Sequence, residues 1–472
     1  MKRLNLLLFA LFLCATGVSA GIKLPALIGD YMVLQQASKV RLWGEATPNS
    51  NISINSTWDN YACSTTTNER GEWEIWIQTP SAGFTPQQIT IWDGEDKVVL
   101  HEVLIGEVWF CSGQSNMEMT MQGYGNSPIE GSNLDIATST KYKSSLRYST
   151  IQRVGAVEPQ AYTTGGEWQE CDPRNTPGFG ATAYYFGTLL TEILGVPVGI
   201  INCSWGGSSV EGWTPKEILQ GYPDIDISMA GNDQKMHPMR QPMIMYNGLL
   251  KPASKYTIKG FLWYQGESNV DRPDYAKRLA TMVSHWRELW GQGELPFYEV
   301  EITPYEYKNE KSAYLREQQL IATKLIPNSG MVSTNDLVQE YERCQIHPKD
   351  KRTIGQRLCY MALNQTYGYS TITCRGPEYE RMEIDKDKVT LHFRNVGNGF
   401  DRDNGIIGFE IAGKDMRFQP ADAKIEGWNK QVIVSAPGVK NPVAVRYCFK
   451  DFQVGNLHNV AGLPVVPFRT DH

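Results

Sequence analysis

A serine lies just past an apolar run in the stretch Val103-Leu104-Ile105-Gly106-Glu107-Val108-Trp109-Phe110-Cys111-Ser112-Gly113-Gln114-Ser115-Asn116-Met117-Glu118. The run up to Phe110 is typical of a buried β-strand, and Gly113 allows a tight turn after it. In an open α/β sheet, ligands bind beyond the carboxyl ends of the strands, so the hydroxyl of Ser115 would face a crevice. Met117 stands where the G-x-S-x-G elbow of the α/β-hydrolases has its second glycine. The stretch therefore predicts a nucleophilic serine of a different serine-hydrolase lineage.

The hydropathy pattern divides the rest of the chain into three parts. Residues 21–101 alternate apolar and polar positions between Gly, Asn and Pro, which predicts an N-terminal β-sandwich-like module. From residue 102 to 370, apolar strands alternate with longer amphipathic segments, a pattern that favours a mostly parallel sheet covered by helices. Short strands return over 371–472 and predict a C-terminal β-rich module. The expected fold class is α/β with flanking all-β modules.

The central part contains five predicted strands and four predicted helices. The strands are Val103–Phe110, Val198–Asn202, Ile258–Tyr264, Phe297–Ile302 and Gly330–Thr334. The helices are Ala181–Leu194, Tyr275–Leu289, Ala313–Ile326 and Thr353–Tyr367. Their alternation along the chain is what indicates a parallel sheet.

The first twenty residues have the pattern of a secretory signal peptide. Lys2 and Arg3 precede the apolar stretch from Leu4 to Leu13, and Val18-Ser19-Ala20 is a small-residue cleavage pattern. We therefore expect residues 1–20 to be removed and the protein to be exported, to the periplasm or the extracellular space. No later stretch reaches the roughly 18 to 20 unbroken apolar residues that span a bilayer, so no membrane span is expected.

Composition argues against several classes of partner. The chain has 45 Lys and Arg against 51 Asp and Glu, a net charge of −6, so nothing in its charge indicates a nucleic-acid binder, which usually carries a basic patch. None of the nine cysteines is part of a C-x-x-C pair, and neither a metal nor an organic cofactor is predicted. The disulfide pairing and the oligomeric state stay open.

Three further blocks follow the serine stretch along the chain. They are Asn202-Cys203-Ser204-Trp205-Gly206-Gly207-Ser208, Trp263-Tyr264-Gln265-Gly266-Glu267-Ser268-Asn269 and Ile346-His347-Pro348-Lys349-Asp350-Lys351. With the block around Ser115, they resemble the SGNH hydrolases, and specifically the carbohydrate-esterase branch of the sialate O-acetylesterases. The motifs of that branch read G-Q-S-N-M, W-G-G-[ST], W-Y-Q-G-E-S-N and I-H-P-K. The resemblance spans nearly the whole chain and implies an SGNH-type three-layer hydrolase core.

The blocks offer a candidate for the general base of an acyl transfer. Such chemistry needs a nucleophile, a base that takes its proton and donors aimed at the oxyanion. By position alone, His237, His347 and His458 all qualify as the base. The resemblance selects His347, whose block is similar to the base-bearing block of the family. It implies that His347 deprotonates Ser115 and later protonates the leaving sugar oxygen.

The expected oxyanion donors are N–H groups of the backbone and of one side chain. The backbone N–H of Ser115 is one, and a glycine of the pair Gly206 and Gly207 is another, because a missing side chain lets the backbone approach the substrate. The family places a side-chain donor in its third block. Gln265 is the expected donor there, because a neutral amide donates N–H whereas a carboxylate such as Glu267 only accepts.

The chain departs from the family at the third member of the triad. Relatives typically have an aspartate shortly before the histidine, whereas this chain has Gln345 two residues before His347. A glutamine accepts from the imidazole N–H but does not offset the imidazolium charge. Either the site is a Ser-His dyad of reduced rate, or a carboxylate from elsewhere supplies the charge. The nearest candidates are Glu267, Asp336, Glu340 and Glu342.

The resemblance implies an esterase that removes O-acetyl groups from sugars through an acetyl-serine intermediate, and the signal-peptide pattern predicts that it is exported. Sialic acid is the favoured substrate, with acetyl-xylan or another glycan as the alternative; a sialate would need a cationic partner such as Arg240 or Arg272. Aromatic residues near the blocks are either sugar platforms or core: Trp205, Trp213, Trp263 and Tyr264. An alternative of another class is a catalytically impaired glycan-binding protein, and a lipase or peptidase has no motif support.

Overall fold

The computed structural model describes residues 21–59, 62–308, 311–428 and 430–471. The signal peptide expected at residues 1–20 lies outside the described residues. Of the described helices, none is long and apolar enough to cross a membrane. The described ranges also contain no group of three or more His, Cys, Asp or Glu side chains arranged to hold a metal ion.

The N-terminal module consists of strands whose side chains alternate between core and solvent. Its strands are β1 (Val33–Gln35), β2 (Lys39–Glu45), β3 (Asn51–Ser56), β4 (Cys63–Thr66), β5 (Glu72–Gln78), β6 (Gly83–Trp92) and β7 (Lys97–Gly113). In β5, for example, Trp73, Ile75 and Ile77 are buried between exposed neighbours. β2 pairs with β5, while β4, β3, β6 and β7 form an antiparallel ladder.

Strand β7 extends from the N-terminal module into the central sheet. It has 17 residues and pairs with β6 near its start and with strands of the hydrolase core near its end. The boundary expected between residues 101 and 102 therefore falls inside one continuous strand. The sequence pattern changes there because burial changes: His101 and Glu102 are exposed, whereas every residue from Val103 to Gly113 is buried.

The central sheet is mostly parallel. Besides β7 it contains β8 (Leu146–Ile151), β9 (Gly165–Glu170), β10 (Val198–Ser204), β11 (Gly260–Tyr264), β12 (Phe297–Val300) and β13 (Ser329–Val332). Their order is β13-β12-β11-β7-β10-β8-β9, and only the edge strand β9 runs antiparallel to its neighbour. The serine-bearing strand β7 thus lies in the middle of the sheet.

Helices cover both faces of this sheet. They are α1 (Ser115–Glu118), α2 (Ser132–Thr138), α3 (Ala181–Leu194), α4 (Lys216–Leu219), α5 (Lys251–Ala253), α6 (Tyr275–Trp290), α7 (Ser312–Leu325) and α8 (Lys351–Gln365). Trp109 and Cys111 of β7 share a core with α3 and α8, while Phe110 points to the opposite core, which contains α6 and α7. These three layers confirm the predicted α/β fold class.

Sequence periodicity predicts the long helices well and the short elements poorly. Each of the four predicted helices is present, with both ends within two residues of the predicted ones. Strand β8 escapes prediction because Arg147 and Ser149 interrupt its apolar pattern although both are buried. The Arg147 side chain lies 3.2 Å from Glu170 on β9, which compensates its buried charge.

The C-terminal module contains two four-stranded antiparallel sheets around one core. Its strands are β14 (Glu378–Asp385), β15 (Lys388–Arg394), β16 (Phe409–Ala412), β17 (Gln419–Pro420), β18 (Asp422–Glu426), β19 (Gln431–Ser435), β20 (Ala444–Tyr447) and β21 (Phe468–Arg469). Nε2 of His458 lies 3.1 Å from Asp336 of the hydrolase core, and Nδ1 lies 3.3 Å from Asp401. His458, one of the three candidate bases, thus links the module to the core.

One buried carboxyl group in this fold lacks hydrogen-bond partners. Glu299 on β12 is fully buried, and neither of its side-chain oxygens is paired within the described residues. Burial raises its pKa well above the ordinary value of 4.5. In the unfolded chain the Glu299 carboxyl ionises above pH 4.5, whereas in the folded chain it stays protonated. Glu299 therefore lowers the free energy of unfolding increasingly as the pH rises above 4.5.

We therefore expect Glu299→Met to stabilise the fold by about 1–3 kcal/mol at neutral pH, since it removes an unsatisfied buried polar group. The gain should shrink as the pH falls toward 4.5. Urea unfolding at several pH values measures it, and Glu69→Met, at an exposed carboxylate, should change stability by less than about 0.5 kcal/mol. A lower free energy of unfolding for Glu299→Met at neutral pH would contradict the prediction.

Candidate active site

Ser115 lies at the carboxyl end of β7, between the ends of β10 and β11. The turn requires Gly113, which has φ 134° and whose Cβ, if present, would lie 2.2 Å from the carbonyl oxygen of Tyr264. The backbone N–H of Gln114 donates to that same carbonyl at 2.9 Å. Helix α1 then begins at Ser115 itself, which presents the half-buried hydroxyl at the edge of the sheet.

The Ser115 hydroxyl lies beside an imidazole. Its Oγ is 2.9 Å from Nε2 of His347, which belongs to the loop before α8. The ring of Tyr124 packs edge-on against the imidazole, with centroids 5.3 Å apart. No side chain among the described residues hydrogen-bonds to Nδ1 of His347. Within the described residues, Ser115 and His347 therefore form a dyad without a third member.

Two residues expected to orient His347 have other partners. The Gln345 side chain accepts from the hydroxyl of Ser127 at 2.9 Å and from the backbone N–H of His347 at 3.3 Å, so it braces the loop without touching the ring. Asp336 accepts two hydrogen bonds from Arg357 and contacts His458 instead. Neither of these two candidate side chains contacts the imidazole ring in this geometry.

The third expected partner, Glu267, also misses the imidazole. Its buried carboxylate accepts from the side-chain N–H of Asn116 at 2.5 Å. The same nitrogen of Asn116 donates to the carbonyl of Ile346 at 3.1 Å, and its amide oxygen accepts from Nζ of Lys351 at 2.5 Å. These three side chains form a buried network beside the loop that carries the imidazole.

The two remaining carboxylates are engaged locally. Glu340 forms an ion pair with Arg343, three residues along the chain. Glu342 accepts from the backbone N–H of Gln339 at 2.8 Å and caps a short turn. Neither replaces the missing aspartate.

The backbone donors near Ser115 fall into two groups. The N–H of Gly206 is already used, since it donates to Oε2 of Glu118 at 2.8 Å. The N–H groups of Ser115 and Gly207 have no acceptor among the described residues, and Gly207 has φ 76°. Of the expected backbone donors, Ser115 and Gly207 are therefore available to an oxyanion, whereas Gly206 is not.

The side chain of Gln265 is enclosed by protein. It has no exposed surface, and its Nε2 lies 3.0 Å from the carbonyl of Ser208, 2.7 Å from Oδ1 of Asn269 and 3.2 Å from Oε1 of Gln114. Its oxygen accepts from the hydroxyl of Tyr275 at 2.8 Å. Because an amide has only two N–H groups, this geometry contradicts the expected oxyanion role of Gln265. Its amide instead anchors the turn at Ser208.

Glu118 is a site residue that the sequence reasoning missed. It lies three residues after Ser115, which on a helix places both on one face, but a single helical turn leaves no periodicity to detect. Its Oε1 lies 3.2 Å from Nε of Arg153. Both residues line a groove of about 440 Å³ that also includes Thr150, Asn202 and Ser204 at the carboxyl ends of β8 and β10. A volume of this size is typical of a small-molecule binding cleft.

Burial and charge keep the imidazole neutral. Burial, followed by the positive charge of Lys351, lowers the pKa of His347 to about 4. Burial also lowers the pKa of Lys351 to about 7 and raises the pKa of Glu267. At neutral pH, His347 is therefore able to accept a proton, although no neighbouring carboxylate stabilises the imidazolium that results.

A pH profile tests this environment. We expect kcat/KM for an acetate ester to fall as the pH drops through about 4, because the imidazolium of His347 cannot accept the serine proton. Initial rates from about pH 3 to about pH 8 measure it, with circular dichroism in the same buffers to detect unfolding. An acid limb near 6.5, the ordinary value for histidine, in folded protein would contradict the prediction.

The two candidate arginines differ in their surroundings. Arg272 forms ion pairs with Asp224 and Glu211, so its charge is already neutralised. Arg240 donates to the carbonyl of Ser268 at 2.9 Å and has no carboxylate partner among the described residues. Only the second is free to bind an anionic group.

The four aromatic candidates differ in their burial. Trp213, Trp263 and Tyr264 are fully buried and belong to the core. Trp205 is half-buried, and its backbone N–H donates to the carbonyl of Gly113 at 3.0 Å, next to the serine turn. Trp205 is therefore the member of this set that is placed to contact a sugar ring.

Comparison with known proteins identifies the family. Residues 105–364 match the family of carbohydrate esterases described as sialic acid-specific acetylesterase. The chain belongs to this family. Sialate O-acetylesterases from Mus musculus and Homo sapiens are each 26% identical over 95% of this chain, covering 94% and 92% of their own lengths. The crystal structure of a carbohydrate acetylesterase from Xanthomonas citri superposes with a TM-score of 0.85 at 32% identity, over 95% of this chain and 99% of that one.

Membership in the sialic acid-specific acetylesterase family confirms the resemblance read from the four sequence blocks. It makes the protein a carboxylic ester hydrolase of the carbohydrate-esterase type, which acts on a sugar substrate. The matched region contains the buried end of β7, Ser115 and the loop with His347. The site described above thus lies within the part of the chain that defines the family.

Proposed function

We propose that the protein removes O-acetyl groups from sugar hydroxyls through an acetyl-Ser115 intermediate. The observation that carries this proposal is the 2.9 Å separation between Oγ of Ser115 and Nε2 of His347 at the carboxyl end of β7. His347 takes the serine proton as Oγ attacks the acetyl carbonyl, and it returns that proton to the sugar oxygen as the ester bond breaks. Water then repeats the cycle and releases acetate.

The tetrahedral intermediate carries its negative charge on the former carbonyl oxygen. The N–H groups of Ser115 and Gly207 are the donors proposed for it, because both lack a protein acceptor in the described ranges. Glu118 and Gln265 hold the turn that carries Gly207, through Gly206 and Ser208 respectively. Donors that are fixed before the charge develops stabilise the transition state without a cost of reorganisation.

We propose an O-acetylated sialic acid as the substrate. The support is the name of the mammalian relatives together with Arg240, whose guanidinium is free to meet the sialate carboxylate. Acetyl-xylan is the second candidate, favoured by the Glu118–Arg153 pair, since a groove wall without excess charge suits a neutral sugar.

Acetate release from purified protein tests the proposal. O-acetylated sialic acid, acetyl-xylan and a small aryl acetate are compared as substrates, with Ser115→Ala as the control for the nucleophile. Faster release from the sialate supports the sialate assignment, and faster release from xylan overturns it. No release from any of the three would favour the glycan-binding alternative, and faster hydrolysis of long-chain esters would favour a lipase.

Export forms a separate part of the proposal. It rests on the positively charged start, the apolar stretch and the small-residue pattern that ends at Ala20. Mass spectrometry of the natural protein should find a new N-terminus at Gly21. An N-terminus at Met1 in the natural host would overturn it.

A further inference from the structure

Lys351 is a buried cation next to the dyad that the proposed mechanism does not use. It has no exposed surface, and its ammonium lies 5.4 Å from the ring centre of Tyr264. Burying an ammonium group is costly unless hydrogen bonds and opposite charges compensate for the lost water. The surroundings of Lys351 must therefore supply hydrogen bonds and an opposite charge.

Asn116 connects the buried ammonium of Lys351 to an opposite charge. The amide oxygen of Asn116 accepts from Lys351, and its amide nitrogen donates to the Glu267 carboxylate and to the carbonyl of Ile346. The amide thus bridges a buried cation and a buried anion, with its dipole aligned to both. Asn116 follows the nucleophile in the chain and Ile346 precedes the base, so one side chain ties together the neighbours of both dyad members.

We infer that Lys351, acting through Asn116, is a positioning residue of the Ser115–His347 dyad. The network fixes the distance between the two reacting groups, and the ammonium charge keeps the imidazole in its neutral form. This inference rests on the proposed function, since positioning matters only if the dyad reacts. A triad carboxylate would hold the imidazole ring itself, whereas Lys351 acts through Asn116 on the backbone next to His347 and has the opposite electrostatic effect on the base.

The groups around His347 define what removal of the charge would do. The Tyr124 ring packs against the imidazole, and its hydroxyl in turn contacts Glu118. Lys351 is itself faced by three carboxylates, Glu267 from the loop after β11 and Glu342 and Asp350 from the segment before α8. Besides burial, Lys351 is the one that shifts the pKa of His347, and it does so downward. Without that charge the pKa of His347 rises while the effect of burial stays.

The test is a titration of His347 by NMR in the full-length mature protein, with signals assigned through His347→Gln. We expect Lys351→Met to move the titration upward by about one pH unit from its wild-type position near 4. The acid limb of kcat/KM for a small aryl acetate should move with it. We also expect kcat to fall by about tenfold with KM changed less than about twofold, the pattern of a lost positioning contact.

Arg352→Met provides the matched control. Arg352 is the next residue on α8 and carries the same charge, but it is paired with Asp135 and stacks over the ring of Tyr185. Its replacement should leave the titration of His347 and kcat unchanged. A general effect of removing one cation from α8 would instead appear in both variants.

Asn116→Ala separates the two roles, because it removes the tether and keeps the charge. We expect kcat to fall while the titration of His347 stays near its wild-type value. If Lys351→Met gives no folded protein, Lys351→Gln provides a neutral side chain that keeps a polar N–H donor at this position. An unchanged titration of His347 in the neutral variant would overturn the inference.

The NMR titration of His347 does not require the enzyme to turn over substrate. The inference about Lys351 and the proposed function can therefore be refuted independently. A wild type that hydrolyses no acetate ester refutes the proposed function. The NMR shift in the Lys351 variants still decides whether this lysine controls the imidazole.

Discussion

Replacing Ser115 by alanine is expected to lower kcat for acetate release by about 10⁴-fold or more, because the acetyl group then has no nucleophile to which it can transfer. The remaining activity would come from water and the backbone donors alone. Purified Ser115→Ala protein, with its fold checked by circular dichroism, gives the measurement through initial rates on a small aryl acetate.

The companion variants are His347→Ala and the double variant. Because the hydroxyl and the imidazole lie 2.9 Å apart and act in one proton transfer, their losses should not multiply. We expect the double variant to be about as slow as Ser115→Ala alone. A further large loss in the double variant, or substantial activity in Ser115→Ala, would show that another group serves as the nucleophile.

The second large effect concerns Gly113. We expect Gly113→Ala to destabilise the protein by about 4 kcal/mol or more and to abolish activity. Its φ of 134° is unfavourable for alanine, and the added Cβ would lie 2.2 Å from the carbonyl oxygen of Tyr264, in a backbone that cannot swing aside. Strands β7 and β11 would have to separate where the nucleophile is attached. Urea unfolding measures the stability loss.

A glycine in the left-handed region with open surroundings gives the cost of a left-handed alanine without any clash. Gly291 ends α6 with φ 65°, and nothing lies within 4 Å of its Cβ position. Gly291→Ala should cost only about 1 kcal/mol, the usual penalty for a left-handed alanine. Equal losses for the two variants would show that the close approach to Tyr264 does not matter.

Much of the fold can be predicted because its signals are local. Apolar runs mark β10 and β11, and the long helices repeat their apolar positions over three or more turns. The extent of β7 cannot be predicted in this way, because its first residues pair within the N-terminal module and are partly exposed. Where a strand continues beyond its buried part, hydropathy reports the change of environment and not the end of the strand.

The sequence likewise predicts one part of the candidate site and misses another. Ser115 and His347 lie 232 residues apart in sequence, yet the motif blocks select both, and the structure brings their side chains together. The blocks do not reveal which atoms are already engaged, because hydrogen-bond partners depend on the folded arrangement. Gln265 and Gly206 occupy expected positions with their N–H groups used by protein acceptors. Lys351 is fully buried, and nothing in the motif block that contains it indicates this burial.

The continuity of β7 limits where the N-terminal module of this enzyme can be exchanged for that of a relative. One strand of 17 residues belongs to both the N-terminal module and the hydrolase core, so no flexible joint exists between them. We expect the two parts to melt in a single cooperative transition. Exchanging the N-terminal module between relatives at residues 101–102 would join two unrelated halves of one hydrogen-bonded ladder. A crossover in the turn before β7 would keep this strand whole, but it would pair β1 and β6 of one relative with β7 of the other.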